Sequence, residues 1–198
     1  MRLLFSLVLA LVVATPMNVL AWGAGGQTFG ANKGFSRSTT SQAVRNLTEG
    51  VATCHKLGWA YRYDCYSKTY GNVARDLDRN SAYADAAQAL RDVETRLNET
   101  IDRNVDSSKP QIRQQGQTYR AIRKESVAQA KREFLSALDD AETKLLRSPD
   151  DGDAHFARIA QAINTNKVLL RSALLGAPQA FRVAGATIYK QIAVLARS

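Results

Sequence analysis

The sequence predicts an all-α protein, an antiparallel bundle of five or six helices with one helical corner closed by a disulfide. Apolar residues recur at three- and four-residue steps from about Ser41 onward, which is the spacing of one helix face. No stretch alternates apolar and polar residues over the length of a strand, so essentially no sheet is expected. Long helices joined by short loops favour antiparallel neighbours with coiled-coil-like packing. A helical-repeat solenoid is the second architecture, although no repeat of fixed length supports it.

The first 21 residues have the layout of a cleavable export signal. Arg2 precedes an apolar run from Leu3 to Ala14, Pro16 follows, and small or aliphatic residues lead to a cleavage point after Ala21. The apolar run is shorter than the roughly 20 residues that cross a bilayer. This favours cleavage over an uncleaved anchor and predicts no transmembrane span in the mature chain. We therefore expect an exported protein, with the periplasm as the first location and the extracellular space as the second.

A glycine-rich leader is expected at residues 22–41, which contain five glycines and no apolar periodicity. No strand precedes these glycines, so a phosphate-binding loop is not indicated. Residues 42–198 are then expected to form a single helical domain whose last helices are basic.

Three helices are predicted in the first part of this domain. The first ends near Gly58, and its apolar stripe consists of Val44, Leu47, Val51 and Cys54. The second ends near Asn80, and its stripe consists of Tyr66, Tyr70, Val73 and Leu77. The third has the most regular stripe, which consists of Tyr83, Ala86, Leu90, Val93, Leu97, Ile101 and Val105. Each stripe is one side of an amphipathic helix, so these residues are expected in the core.

Further helices follow a connector at residues 107–117, where Pro110 and Gly116 disfavour a helix interior. One long helix is expected from Tyr119 to Leu145. The next follows the acidic loop 148–153, and its stripe consists of Phe156, Ile159, Ile163, Leu170 and Leu174. The last opens at Pro178, a residue suited to the first helical turn, and its stripe consists of Phe181, Ile188, Ile192 and Leu195.

The two cysteines, Cys54 and Cys65, are expected to form a disulfide, because an isolated pair in an oxidising compartment usually does. On one continuous helix their Cα atoms would lie about 16 Å apart, whereas a disulfide needs them within about 7 Å. The chain must therefore turn between them, and the segment Leu57–Gly58–Trp59 is the predicted position of that turn.

Aromatic residues crowd this corner. Tyr66 and Tyr70 continue a helical stripe and are expected in the core. Trp59, Tyr61 and Tyr63, with Arg62 between them, lie in or just after the turn. If exposed, they form a candidate site for a glycan or small ligand that stacks on the rings; the alternative is that they cover the disulfide.

Positive charge is concentrated in the last quarter of the chain. The net charge is +9, and residues 154–198 contain six basic and no acidic side chains. The candidate contacts with an anionic partner are Arg171, Arg182, Lys190 and Arg197. A cationic amphipathic helix of this kind lies on an anionic surface or docks on its own bundle, and both alternatives stay open. A second acid-free stretch, 109–124, surrounds the connector.

Catalytic and metal-ligating patterns are scarce. His55 and His155 are the two histidines, and neither belongs to a triad or metal motif. The aspartates at 150, 151 and 153 are expected to cap a helix, since their spacing lacks a calcium loop's ligands. No catalytic residue, metal or cofactor is predicted, and nucleic acid is not expected as a partner because the protein is exported and has no reading motif.

The sequence thus predicts an exported, non-catalytic helical binding or interaction module. Its basic C-terminal portion is expected to contact an anionic envelope partner, which is a lipid surface, a wall polymer or a protein. The first alternative is a small-ligand or glycan binder that uses the aromatic corner at 59–63. The others are a purely structural bundle and an enzyme. The pattern does not specify an oligomeric state.

Overall fold

The structure, a computed structural model, describes residues 34–147 and 153–172. The predicted export signal, most of the leader, the acidic loop up to Gly152 and the predicted last helix lie outside these residues.

Five α-helices make up most of the described chain. They are α1 (Arg37–His55), α2 (Arg62–Asp78), α3 (Ala84–Arg103), α4 (Val127–Leu146) and α5 (Asp153–Ser172). Each packs on its neighbours in sequence, and α5 packs on α1, so the five helices close into a ring. The ion pairs Arg96–Asp140 and Asp92–Lys144 show the antiparallel register of α3 and α4. The all-α bundle is confirmed, and ring closure distinguishes it from an open solenoid.

The up-and-down order gives the bundle two different ends. α1, α3 and α5 finish where α2 and α4 begin, and we call this the disulfide end because Cys54 and Cys65 lie there. The connection between α3 and α4 also lies at this end. At the opposite end, a short 3-10 turn at Ser81–Tyr83 leads from α2 into α3.

An aromatic cluster of Tyr66, Tyr70 and Phe134 lies in the core of the bundle. Tyr66 stacks on Phe134 with ring centroids 5.1 Å apart, and Tyr70 meets the same ring edge-on at 5.6 Å. The Tyr70 hydroxyl accepts a hydrogen bond of 3.0 Å from Asn166, and burial raises the pKa of this phenol. The prediction that Tyr66 and Tyr70 belong to the core is confirmed.

The long helix predicted from Tyr119 is wrong at its start, because α4 begins only at Val127. A β-hairpin precedes it, with β1 (Ile112–Gln114) antiparallel to β2 (Gln117–Tyr119). Gln115 and Gly116 turn the chain with positive φ angles of 52° and 76°, and a residue pair in this conformation closes a two-residue hairpin. The expectation of no sheet therefore fails at this one connection of the described chain.

A buried carboxylate, that of Asp64 in α2, holds the hairpin on the bundle. Asp64 has no solvent exposure and accepts hydrogen bonds from the Arg120 backbone N–H at 3.0 Å and from Arg120 Nε at 2.8 Å. Lys68 Nζ forms an ion pair with it at 2.9 Å. The terminal nitrogens of the Arg120 guanidinium also contact α3, where Nη1 pairs with Asp102 and Nη2 donates a hydrogen bond to Asn98. The residue that follows β2 is thus tied to two helices.

We expect the change Asp64→Ala to lower the free energy of unfolding by about 3–5 kcal/mol, because the Arg120 backbone N–H, the Arg120 guanidinium and Lys68 all lose the buried carboxylate that they share. Urea denaturation measures the difference. The matched control is Asp76→Ala on the same helix, where an exposed carboxylate pairs with Arg79 at 3.6 Å and the expected loss is below about 1 kcal/mol. Equal losses in the two variants would contradict the role of Asp64.

Candidate functional site

The corner between α1 and α2 is built as the sequence predicts. Cys54 and Cys65 form a disulfide with Cα atoms 5.5 Å apart. α1 ends at His55, and the chain turns through residues 56–61 before α2 begins at Arg62. The disulfide joins the last turn of α1 to the first turn of α2 and so restrains the intervening loop.

The three aromatic rings of the corner have different environments. Trp59 is exposed, with 39% of its surface accessible to solvent. The Tyr61 hydroxyl donates a hydrogen bond of 3.0 Å to the carbonyl of Pro110 and so supports the hairpin connection. Tyr63 is buried against Tyr66, and this burial raises the pKa of Tyr63 to about 12. Of the three predicted binding rings, Trp59 is therefore the one most open to a ligand.

A lysine from the α3–α4 connection lies over the exposed indole. Lys109 Nζ is 5.4 Å from the Trp59 ring centroid, within the range of a cation–π contact. The same ammonium pairs with Asp106 at 3.0 Å. Hydrogen bonds from Ser108 and Lys109 lower the pKa of the Asp106 carboxyl. The ion pair with Asp106 thus holds the Lys109 ammonium beside the Trp59 ring.

Three exposed cations lie in segments at this end of the bundle. Lys56 follows α1, Arg113 lies on β1 and Lys124 precedes α4, and none of them has a carboxylate partner within the described residues. We call Trp59, Lys109 and these three cations the disulfide-end surface. The acid-free stretch 109–124 that the sequence shows thus contributes to the same end of the bundle as the aromatic corner.

Three more basic side chains lie where α1, α2, α4 and α5 meet at this end. Arg62 Nε donates a hydrogen bond of 2.7 Å to the carbonyl of Leu57, and Lys131 Nζ donates to the carbonyl of Leu170. His55 Nδ1 lies 3.4 Å from the Tyr66 hydroxyl. Burial lowers the pKa of His55, and the positive charges of Arg62 and Lys131 lower it further.

The predicted basic C-terminal contacts fall mostly outside the described residues. Arg182, Lys190 and Arg197 lie there. Arg171 is exposed on α5, with its guanidinium 3.8 Å from Asp139. Lys167, one helical turn earlier, is buried and pairs with Asp139 and Glu142 of α4. In the described part of α5, these cations therefore form ion pairs that stabilise its contact with α4.

His155, the histidine farther from the disulfide, belongs to a packed cluster at the opposite end. Its Nδ1 lies 2.6 Å from the Thr40 hydroxyl, and its ring stacks on Phe35 at 5.2 Å. Tyr83 bonds Thr40 at 2.8 Å and the carbonyl of Ser36 at 2.8 Å. Thr40 is fully buried, so this imidazole–hydroxyl pair fixes residues 35 and 36 on the bundle and offers no accessible nucleophile.

Sequence reasoning missed several residues of the disulfide end. Asp64 and Arg120 are 56 positions apart, so no local pattern connects them. Lys109 lies in the acid-free stretch 109–124, but no local pattern predicts its contact with Trp59. His55 and Lys131 belong to different helices, and their proximity depends on how the ring of helices closes. The local signal for the hairpin was the Gln115–Gly116 pair between two β-compatible segments.

Comparison with protein-family models, with curated proteins and with solved structures found no match to this chain. Within residues 34–147 and 153–172, His, Cys, Asp and Glu side chains form no group of three suited to a metal ion. In the same ranges, no helix combines the length and apolar character needed to cross a membrane. The function must therefore be argued from the site's own chemistry.

Stability is expected to fall as the pH decreases below about 6.5, the ordinary pKa of histidine. Burial and neighbouring cations lower the pKa of His55 and of His155 in the folded protein. Below pH 6.5 the unfolded chain then binds more protons than the folded one, and the folded state loses stability. Urea denaturation between pH 8 and about pH 5 measures this loss above the range where carboxylates titrate.

The double variant His55→Gln, His155→Gln is the control for this prediction. Its free energy of unfolding should stay nearly constant across the same pH range. A loss as steep as that of the unchanged protein would assign the effect to other groups.

Proposed function

We propose that the protein is an exported, non-catalytic binding module that holds an anionic carbohydrate polymer of the cell envelope at its disulfide end. The observation that carries this proposal is the exposed Trp59 indole beneath Lys109, in a surface whose cations Lys56, Arg113 and Lys124 have no carboxylate partner in the described chain. The aromatic corner and the basic surface, which the sequence presents as separate features, occupy one end of the bundle.

The combination of an indole with cations suits a charged sugar better than either feature alone. The apolar face of a sugar ring stacks on an aromatic side chain, and the polar indole N–H remains free to hydrogen-bond. Ammonium and guanidinium groups bind phosphate or carboxylate substituents through charge-assisted hydrogen bonds. A repeating anionic polymer engages several such contacts together, so weak individual contacts add up.

The basic C-terminal segment extends this proposal. α5 ends at Ser172, at the disulfide end, and residues 173–198 follow from there with Arg182, Lys190 and Arg197 and no acidic residue. We infer that these cations add long-range attraction for the same polymer, which makes association sensitive to salt.

Export and the absence of catalysis belong to the same proposal. The disulfide between Cys54 and Cys65 is compatible with an oxidising compartment, and the first 21 residues have the layout of an export signal. The imidazole–hydroxyl pair of His155 and Thr40 supports a non-catalytic role, because its hydroxyl is buried and bonded to Tyr83.

We expect Trp59→Ala to weaken binding of the exported chain to isolated cell-wall polymer by about three- to tenfold, the effect of losing one stacking or cation–π contact. Co-sedimentation over a salt series measures binding. The matched control is Leu146→Ala, which removes another exposed apolar side chain, 59% accessible, at the opposite end. Equal binding by the Trp59 and Leu146 variants would contradict the proposed site.

The charge contribution is tested in the same assay. The triple variant Lys56→Gln, Arg113→Gln, Lys124→Gln should reduce the salt dependence, whereas Arg147→Gln at the opposite end should not. Neutral and anionic vesicles serve as comparison ligands. If only anionic vesicles bind, the partner is a lipid surface and the carbohydrate proposal is wrong.

A further inference from the structure

Three basic side chains from three helices lie at the disulfide end, beside the surface around Trp59. His55 comes from the last turn of α1, Arg62 from the first turn of α2 and Lys131 from the second turn of α4. All three are half-buried. His55 touches Tyr66, and Tyr66 stacks on Phe134, which lies one turn after Lys131. The cluster therefore lies directly over the aromatic core of the bundle.

The cluster lacks the opposite charges that the fold places beside other buried and half-buried cations. Arg120 pairs with Asp64, and Lys167 pairs with Asp139 and Glu142. His55, Arg62 and Lys131 have no carboxylate partner among the described residues. The backbone carbonyls of Leu57 and Leu170 accept one hydrogen bond each from Arg62 and Lys131, and a carbonyl carries no full charge to offset them.

Most hydrogen-bond donors of the cluster remain available. A guanidinium has five N–H groups and an ammonium has three, and within the described residues Arg62 and Lys131 each use one. The hydrogen bonds to the carbonyls of Leu57 and Leu170 hold the Arg62 and Lys131 side chains in place and leave their other N–H donors available. Fixed side chains with spare donors are prepared for a ligand, because binding then orders little that was free before.

Electrostatics favours an anion at this point. Burial and the two neighbouring cations lower the pKa of His55, and burial lowers the pKa of Lys131. The two cations therefore disfavour a positive charge on the His55 imidazole. An anion beside His55 offsets the effect of these cations and favours protonation of the imidazole.

We propose that His55, Arg62 and Lys131 form a subsite for a phosphate group. This inference rests on the proposed function. It specifies the polymer as a phosphate-bearing carbohydrate. Donors that approach from three helices suit the three free oxygens of a phosphate monoester or the two of a diester, whereas a carboxylate has oxygens in one plane. Trp59 lies three residues before Arg62, in the turn that leads into α2, and the proposal places the phosphate of a sugar stacked there in the cluster.

The groups that face His55 determine how the subsite responds to protons. They are Arg62 of α2, Lys131 of α4 and the Tyr66 hydroxyl, and no carboxylate of the described chain pairs with any of them. His55 can therefore report an added anion directly, through its own proton equilibrium. Its imidazole resonances give the pKa by NMR titration.

The test adds inorganic phosphate to the exported chain at constant ionic strength, with chloride as the reference anion. We expect the pKa of His55 to rise by about 1 unit with phosphate and to stay constant with chloride. The resonance is assigned by comparison with His155→Gln. A pKa of His55 that does not respond to phosphate would overturn the subsite.

Variants separate a built subsite from general attraction. Lys131→Gln alone should raise the pKa of His55, since one repelling charge is lost, and should abolish the further rise with phosphate. Arg132→Gln, an exposed neighbour on the same helix, is the matched control and should leave both values unchanged. Equal responses from the two variants would overturn the assignment of Lys131.

The outcomes distinguish this inference from the proposed function. If cell-wall polymer binds through Trp59 but Lys131→Gln binds it as tightly as the unchanged protein, the phosphate subsite is wrong and the binding module stands. If phosphate shifts the His55 pKa but no polymer binds, the subsite stands and the polymer is wrong. Competition between a phosphate-bearing polymer and phosphatidylglycerol vesicles then identifies which source of phosphate the subsite prefers; preference for the vesicles would overturn the carbohydrate assignment.

Discussion

The surface at the disulfide end depends on one buried charge, the carboxylate of Asp64. A carboxylate without solvent exposure is stable only while its donors stay in place, and two of those donors belong to Arg120 at the end of the hairpin. If the hairpin left α2, the buried carboxylate would keep only Lys68 as a partner. Lys109 and Pro110 precede the hairpin and contact Trp59 and Tyr61, so an interaction inside the fold determines the geometry of its surface.

Asp64 and Cys65 are adjacent in the first turn of α2, and each connects this helix to a different part of the protein. The disulfide fixes α1 relative to α2, while the carboxylate fixes the α3–α4 connection relative to α2. The turn that carries Trp59 lies between these two restraints. A binding surface held in this way loses little conformational entropy when a ligand is bound.

The sequence predicts the parts of this structure that local geometry controls. Helix periodicity identifies the core faces, and the distance limit of a disulfide identifies the turn near Gly58. The hairpin was missed because Tyr119 and Ile122 are spaced like residues of one helix face, although their burial comes from a strand end and an isolated bridge. Whether Trp59 or Tyr63 is exposed depends on the direction of the turn, and periodicity does not specify that direction. His55 and Lys131 come together only through the ring closure, which sequence spacing does not encode.

The contrast between the two ends supports the proposed binding role of the disulfide end. At the opposite end, His155, Thr40 and Tyr83 satisfy one another through neutral hydrogen bonds. At the disulfide end, burial and the charges of Arg62 and Lys131 lower the pKa of His55, and none of the three has a carboxylate partner in the described chain. A bundle selected only for stability gains from pairing or separating such charges. Groups with a perturbed pKa and no opposite charge beside them are expected where a ligand supplies that charge, which is the role that we propose for a phosphate at the disulfide end.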